Sequence, residues 1–243
     1  MRLRLLAAAC GLVVVGGGGC GGEETTDPSD RAVAIVTTAC GDASRTMGSG
    51  VLVGDGRIVT AAHLVIGAES ITTDLPDGRE TAAIPAVVDT TRDLAVLRIG
   101  TEVDVADVVL ERVGADAAVR LVGGLESGDV EATVRRAATL VVDEVRGTER
   151  HERGGYELDL AIELGDSGSG IYDDDRLVGI VFARSSERDS IAFAIDADEV
   201  EAVLDVEPTT WVCDPDDSRL VERSARARPT RNAGRGSAGS AHR

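Results

Sequence analysis

Short apolar runs separated by glycine, aspartate and proline follow one another along most of this chain. Such runs, rich in Val, Ile, Leu and Thr, are typical of β-strands, because β-branched side chains suit a pleated surface. A first series of strands is predicted at Val33–Thr37, Gly50–Val53, Arg57–Thr60, Ser70–Thr73, Ala82–Val88 and Leu94–Ile99. A second series is predicted at Ala117–Val122, Glu131–Val142, Glu157–Ile162, Gly170–Tyr172, Leu177–Ala183 and Ser190–Ile195.

Two series of six strands predict an all-β protein built from two six-stranded antiparallel β-barrels, since closing a barrel removes its exposed strand edges. The segment Asp198–Asp205 predicts a short C-terminal helix that ends the domain before Pro208. We therefore expect one folded domain over residues 31–213, with barrels at about 31–110 and 111–213. Aromatic residues make up only 2% of the chain, so aliphatic side chains must fill both cores.

The N-terminus predicts an export signal, in which two arginines precede the apolar stretch Leu5–Val15. That stretch is shorter than the roughly 20 residues that a permanent membrane helix needs. The polar residues after Cys20 resemble those of a bacterial lipoprotein signal, although Gly17 stands where Leu or Val is usual. We expect a signal peptide over 1–20 and a polar linker over 21–30. The protein would then be secreted, or tethered to the outer face of the membrane by a lipid on Cys20.

Charge is strongly negative, with a formal net charge of −18 and no lysine. Such an acidic surface argues against nucleic acid or an anionic membrane as the main partner. The end of the chain is different, because arginines there outnumber the single Glu222 and little apolar surface is available to bury. We expect residues 214–243 to form a disordered, arginine-rich tail.

The chain has four cysteines, and their positions indicate whether the protein belongs to an oxidising compartment. Cys10 lies inside the predicted signal and would be removed with it, and Cys20 is the candidate for lipidation. Cys40 and Cys213 remain, and they bracket nearly the whole predicted domain. In an oxidising compartment this pair can form a disulfide, and the alternative is two buried free thiols.

Three short blocks carry candidate chemistry. GSGVLVGDGRIVTAAH delivers His63 at the close of a strand, and histidine suits general-base work because its pKa lies near neutrality. In TTRDLAVLRI, Asp93 enters an apolar strand, where a buried carboxylate needs a partner such as an imidazole N–H. Taken singly, these two residues are better explained as a structural histidine and a turn or strand-capping aspartate.

The third block, LAIELGDSGSG, places Ser167 between glycines after an apolar run. The flexible backbone there lets the N–H groups of Gly165 and Ser167 converge on one oxygen as an oxyanion hole, where each donor contributes ~10²–10³ in rate. The order His, Asp, Ser differs from that of α/β-hydrolases, and Ser169 stands where their motif requires glycine. The sequence therefore predicts a catalytic triad of His63, Asp93 and Ser167. Neither a metal ion nor an organic cofactor is required.

The blocks TAAH, DLAVL and GDSG resemble the three signature blocks of trypsin-like serine proteases. GSGVLV and RLVGIVFARSSERDSIAFAI are similar to the bacterial HtrA/Deg branch, and closer still to periplasmic actinobacterial proteases implicated in acid resistance. The resemblance covers about residues 31–213 and implies a chymotrypsin-like fold and a serine endopeptidase acting on extracytoplasmic proteins or peptides. Those actinobacterial proteases also close their domain with a cysteine pair placed like Cys40 and Cys213.

The same resemblance implies a substrate-binding region. Ala161 stands where trypsins carry an aspartate at the pocket floor, so a preference for basic side chains is not expected. Phe182, Ala183 and Arg184 would form the edge that pairs with substrate, Phe182 in place of a serine and Arg184 in place of a glycine. We expect small or medium apolar side chains to be preferred before the cleaved bond.

Some positions depart from the family pattern or lack an assigned partner. Ser169 replaces the second glycine after the nucleophile, and Asp166 needs a partner, for which Arg120 is an internal candidate. His151 lies in the polar run GTERHERGG, which is read as a surface loop. The alternative function is a catalytically silent protease-like domain that binds peptides or partner proteins. The oligomeric state stays open.

Overall fold

The computed structural model describes residues 26–214 and 219–222, and its first barrel contains six antiparallel strands. These strands are β1 (Ala32–Ala39), β2 (Arg45–Gly54), β3 (Arg57–Ala61), β4 (Ala68–Asp74), β5 (Glu80–Asp89) and β6 (Leu94–Ile99). They are hydrogen-bonded in the order β1-β2-β3-β6-β5-β4, and β1 pairs with β4 to close the barrel.

The second barrel repeats this arrangement. Its strands are β7 (Ala118–Gly124), β8 (Gly128–Asp143), β9 (Arg150–Asp159), β10 (Gly170–Asp173), β11 (Arg176–Arg184) and β12 (Ile191–Asp196). The order β10-β11-β12-β9-β8-β7 closes through the pairing of β10 with β7. The predicted all-β fold with two six-stranded antiparallel barrels is confirmed.

Helical structure is confined to short segments at the ends of strands. A 3-10 helix, Pro28–Arg31, precedes β1, and α1 (Ala62–Val65) follows β3. The helix α2 (Ala197–Leu204) follows β12 and is capped by Asp196, whose side chain accepts from the N–H of Glu199. This confirms the predicted C-terminal helix. None of the helices in the described residues combines the length and apolar composition that a membrane span needs.

Apolar side chains form one core inside each barrel and a third where the barrels meet. The third core joins Val51, Val59 and Leu94 of the first barrel to Leu177 and Ile180 of the second. All five side chains are at most 1% exposed. Burying a side chain of this kind stabilises a fold by about 1.5–3 kcal/mol, so the boundary between the barrels is a tightly held surface.

The hairpin of β8 and β9 is longer than predicted. The polar run read as a surface loop is mostly strand, and His151 lies in β9 opposite Val142. Residues 160–162, predicted as the end of that strand, lie beyond it. Backbone hydrogen bonds and an ion pair between Arg150 and Asp143 hold this segment, so it forms a strand without an apolar pattern.

Other differences lie at the two ends of the chain. Residues 28–30 of the predicted linker belong to the 3-10 helix. After α2 the chain forms β13 (Trp211–Asp214) and then β14 (Arg219–Glu222), which are paired with each other. The predicted signal peptide with Cys20, and most of the predicted tail over 214–243, lie outside the described residues.

A disulfide joins Cys40, just after β1, to Cys213 in β13, with the two Cα atoms 5.7 Å apart. It closes a loop over a sequence separation of 173 residues. The segment ahead of Cys213 is also held by hydrogen bonds, since Thr209 N–H and Trp211 Nε1 both donate to the carbonyl oxygen of Ala86. The C-terminal strand is thereby fixed to the first barrel.

Replacing both Cys40 and Cys213 by alanine is expected to lower the free energy of unfolding by about 2–5 kcal/mol, because a cross-link over so long a loop strongly restricts the unfolded chain. Urea denaturation of the parent and the double variant, each with and without reductant, measures this. Reductant should destabilise the parent and leave the variant unchanged. An equal response of both proteins to reductant would contradict a structural disulfide.

Candidate active site

His63 lies in α1, immediately after β3, and is held by Asp93 at two points. The N–H of His63 donates to Asp93 Oδ1 at 2.8 Å, and Nδ1 of the ring lies 2.7 Å from Oδ2. The Asp93 side chain is 8% exposed, whereas that of His63 is 34% exposed. Because the carboxylate accepts at Nδ1, a neutral ring carries its proton there and presents an unprotonated Nε2.

Asp93 occupies a turn that other residues hold in place. Its φ of 55° lies in the left-handed region, which aspartate tolerates better than most residues. The Asp89 carboxylate accepts from the N–H groups of Thr91 and Arg92, and Arg92 also pairs with Glu199 of α2. Burial of Asp89 opposes its ionisation, yet the Thr91 hydroxyl and Arg92 hold its pKa below the ordinary value. This network has no signal in the sequence, since neither Asp89 nor Glu199 belongs to a recognisable motif.

Ser167 lies in the nucleophile loop, defined here as residues 164–169, between β9 and β10. The loop is bonded to β11, because Gly168 N–H donates to the Val181 carbonyl and Val181 N–H donates to that of Ser169. It is also bonded to the first barrel, where the N–H of Ser49 donates to the carbonyl oxygen of Ser167 at 2.9 Å. The two barrels therefore both hold the nucleophile loop.

Gly168 makes the close approach between the loop and the first barrel possible. Its φ is 91°, and a Cβ there would collide with the Ser49 carbonyl oxygen and lie 2.5 Å from Thr60 Oγ1. Thr60 belongs to β3, three residues before His63. The structure thus brings the residue after Ser167 against the strand that precedes His63, although these blocks are far apart in sequence.

Three backbone N–H groups of the loop, those of Leu164, Gly165 and Ser167, are free in the described part of the chain. The N–H groups of Asp166, Gly168 and Ser169 each donate to a backbone carbonyl. Those of Gly165 and Ser167 donate to no described residue, and they are the two predicted for the oxyanion hole. Among the described residues, the hydroxyl of Ser167 forms no hydrogen bond with the His63 ring, an arrangement that is common before substrate binds.

Asp166 is completely buried and is surrounded by hydrogen-bond donors. Its Oδ1 accepts from the N–H groups of Glu126 and Ser127, and its Oδ2 accepts from the Ser127 hydroxyl and the N–H of Glu163. Burial opposes ionisation, but these donors together hold the pKa of Asp166 below its ordinary value. Ionised Asp166 therefore stabilises the fold at every pH above the ordinary aspartate pKa of about 3.9. This stabilisation is lost as the pH falls through the lowered pKa of Asp166.

Arg120 is not the partner of Asp166, which corrects the expectation from the sequence. Its guanidinium lies 3.6 Å from Asp129 on the surface. The partner is instead the turn between β7 and β8, which carries Glu126 and Ser127. No motif pointed to this turn, because its donors are two backbone N–H groups and one ordinary serine.

Phe182, Ala183 and Arg184, the end of β11, lie together in a cavity of about 720 Å³ beside Asp93. Leu140 and other apolar residues contribute to its walls. Ala161 does not line this cavity and is exposed. The structure therefore brings the predicted substrate edge next to the candidate triad and places Ala161 elsewhere.

A family model described as the trypsin-like peptidase domain matches residues 48–180, more than half of the chain. The chain belongs to this family. A curated relative, the probable periplasmic serine endoprotease DegP-like of Halomonas elongata, is 33% identical over 175 residues, which cover 66% of this chain and 35% of the relative. The chain thus spans about a third of the length of that relative.

Solved structures of peptidases share this fold. The active form of the Rv3671c protease from M. tuberculosis has a TM-score of 0.67 and 25% identity, over 73% of this chain and 80% of that one. The HtrA-type protease AlgW, solved with a tripeptide, has a TM-score of 0.62 and 24% identity, over 73% of this chain and 60% of that one. With the DegP-like relative, these similarities confirm the predicted resemblance to HtrA-branch serine proteases.

The trypsin-like peptidase has one further group of potential metal ligands in its described residues. Glu144, Glu149 and His151, at the end of the β8–β9 hairpin, bring ligand atoms within 4.8 Å of one another. Acidic groups commonly converge in this way at exposed hairpin ends without an ion. The cluster lies outside the nucleophile loop and takes no part in the candidate chemistry.

Ser169 is accommodated in the peptidase without backbone strain, since its φ is not positive. Its side chain is completely buried, and the hydroxyl has no hydrogen-bond partner among the described residues. A buried hydroxyl without a partner costs about 1–3 kcal/mol. The departure from the family glycine therefore affects packing rather than the conformation of the loop.

Ser169→Ala is expected to raise the free energy of unfolding by about 1 kcal/mol, because it removes this unpaired hydroxyl. The midpoint of thermal unfolding should rise by about 2–4 °C for a domain of this size. The exposed Ser190 supplies the control, since Ser190→Ala should change stability by less than about 0.5 kcal/mol. A clear loss of stability in Ser169→Ala would show that the hydroxyl is hydrogen-bonded in solution.

Proposed function

We propose that this protein is an active serine endopeptidase in which Ser167 is the nucleophile, His63 the general base and Asp93 the residue that orients His63. One observation carries the proposal. The paired His63 and Asp93 lie beside a docked nucleophile loop in which the N–H groups of Gly165 and Ser167 are free among the described residues. Nucleophile, base, orienting carboxylate and oxyanion donors are the parts that acyl transfer to serine requires.

The reaction follows from these roles. Ser167 Oγ attacks the scissile carbonyl carbon while Nε2 of His63 takes the hydroxyl proton. The N–H groups of Gly165 and Ser167 donate to the oxyanion that forms. The C–N bond then breaks as His63 gives its proton to the leaving amine, and a water molecule, activated by the same ring, hydrolyses the acyl-enzyme.

Digestive relatives have a serine at position 182 that supports the triad aspartate, and this chain has Phe182 there. Asp93 therefore relies on His63 for its hydrogen bonds. Among the described residues, its carboxylate accepts only from the N–H and the Nδ1 of His63. Phe182, which lines the same cavity, has no side-chain donor to add. The orientation of the ring and that of the Asp93 carboxylate therefore depend on each other.

Substrates are proposed to be proteins or peptides outside the cytoplasm. The Cys40–Cys213 disulfide is typical of an oxidising compartment, and the name of the Halomonas relative places that protein in the periplasm. We extend this to an export signal over 1–20, a lipid on Cys20 and a protease domain over 31–213. The cavity beside Asp93 combines apolar residues such as Leu140 and Phe182 with charged residues such as Arg136, and its apolar part supports a preference for apolar side chains.

A fluorophosphonate probe reacts only with an activated serine and therefore tests the triad directly. The full chain, produced in an oxidising compartment, should be labelled, and Ser167→Ala should not be. Asp93→Asn should lower the labelling rate by a factor on the order of 10⁴, because the ring then holds the wrong tautomer. Intact-mass analysis and gel fluorescence measure the extent of labelling.

Ser190→Ala is the matched control, since it removes an exposed serine hydroxyl and should be labelled like the parent. If the folded parent remains unlabelled, the endopeptidase proposal is wrong. The catalytically silent domain that binds peptides or partner proteins is then the function to test.

Substrate preference is tested by incubating a peptide library with a preparation of the protein that reacts with the fluorophosphonate. Cleavage is expected after small or medium apolar residues, because Leu140 and Phe182 line the cavity beside Asp93. Mass spectrometry of the products identifies the cleaved bonds. Cleavage mainly after arginine or lysine would overturn this specificity.

A further inference from the structure

We propose that Ser127 is a positioning residue that holds Asp166 and thereby aligns the oxyanion donors, so that no newly cut N-terminus is needed for activity. The inference rests on the proposed function and concerns the same loop. Ser127 touches no substrate and would act through Asp166. It belongs to the three-residue turn 125–127 between β7 and β8, outside every sequence motif of the site.

The donors around Asp166 account for its whole hydrogen-bonding capacity. An ionised carboxylate offers about four acceptor positions. Four donors occupy them, namely the hydroxyl and N–H of Ser127 and the N–H groups of Glu126 and Glu163. The Ser127 hydroxyl makes the shortest of these contacts, at 2.5 Å. An additional ammonium group has no free position on this carboxylate.

The turn is linked to the nucleophile loop at a second point, through Ser49 of β2. The hydroxyl of Ser49 donates to the Gly165 carbonyl oxygen at 2.9 Å and accepts from the N–H of Leu125 at 3.2 Å. Gly124 makes the approach possible, because a Cβ there would lie 2.9 Å from Asp166 Oδ1. The turn thus holds the Asp166 side chain directly and the Gly165 carbonyl indirectly, through Ser49 of β2.

These contacts bear on catalysis because Asp166 stands between the two oxyanion donors. Gly165 has a φ of 107°, a conformation open to glycine, so its peptide groups would rotate easily if nothing held them. The bond from Ser49 fixes the Gly165 carbonyl, and the Ser127 hydroxyl fixes the side chain of Asp166. The N–H of Ser167, which follows directly, then keeps one direction.

The N-terminal side of the domain is held by contacts of its own. Arg31 is 3% exposed, and its guanidinium donates to the carbonyl oxygens of Leu52 and Ala106. The next residue, Ala32, donates its N–H to the carbonyl oxygen of Ser29. As the first residue of β1 it is also paired with Val51 of β2. The segment on both sides of the bond between Arg31 and Ala32 is thus held against the first barrel.

The test compares Ser127→Ala with the parent, using the full chain and a cleavable peptide. A hydrogen bond to a buried charged acceptor is lost, so kcat should fall about 10- to 100-fold. KM should change less than about twofold, because the oxyanion forms only after substrate binds. Ser127→Thr keeps the hydroxyl and should restore kcat to within about threefold of the parent, whereas Ser190→Ala should match the parent throughout.

A purely structural role would lower the thermal midpoint without this split between kcat and KM. If Ser127→Ala fails to fold, Ser127→Cys carries the same test, since a thiol is a weak donor and an intermediate kcat is expected. A folded Ser127→Ala or Ser127→Cys with the kcat of the parent overturns the inference. Failure of the parent itself to react with the fluorophosphonate would instead refute the proposed function.

Mass spectrometry of the labelled parent tests the second half of the inference. The labelled protein should retain an intact bond between Arg31 and Ala32. Labelling confined to molecules that begin at Ala32 would show that a new amine is required, and would overturn the role given to Ser127.

Discussion

The candidate site depends on the docking of the Gly168 backbone against Ser49 and Thr60 at the boundary between the barrels. His63 and Asp93 belong to the first barrel and Ser167 to the second, so neither barrel carries the constellation alone. The aliphatic core between the barrels holds them together, and the bond from Ser49 to Ser167 sets their register. A larger residue at position 168 would separate the nucleophile from its base.

Two buried carboxylates, Asp93 and Asp166, organise the candidate site, and neither is paired with an arginine of the described residues. Each is held by N–H, O–H or imidazole donors, which fix the direction of its carboxylate, and around Asp166 these donors also favour the charged form. The arginines are used mainly on more exposed pairs, such as Arg112 with Asp198. Exposed pairs of this kind contribute about 0–1 kcal/mol each, so the acidic surface has little influence on the site.

The local sequence pattern predicts best the bounds of those strands whose side chains face a core. Strands with apolar runs, such as β3 and β6, were found within one residue of their predicted bounds because their side chains face a core. β9 was misplaced, since its first half is polar and its pairing with β8 depends on backbone hydrogen bonds. Arg120 was a reasonable candidate by charge, but charge alone does not show which residues a turn brings within reach.

The sequence by itself determined the two-barrel class, the cysteine pair and the three blocks with His63, Asp93 and Ser167, because each depends on short-range pattern or on residue type. Only the tertiary structure decided which groups support them. Ser127 and Glu199 are ordinary residues in sequence, and they contact the site from a turn and a helix far along the chain. Ser49 lies in the block that ends at His63, but nothing in that block indicates its bond to Gly165 of the other barrel. Hydrogen bonds require positions accurate to a few tenths of an ångström, and such positions are set by the packing of the barrels rather than by any local run of residues.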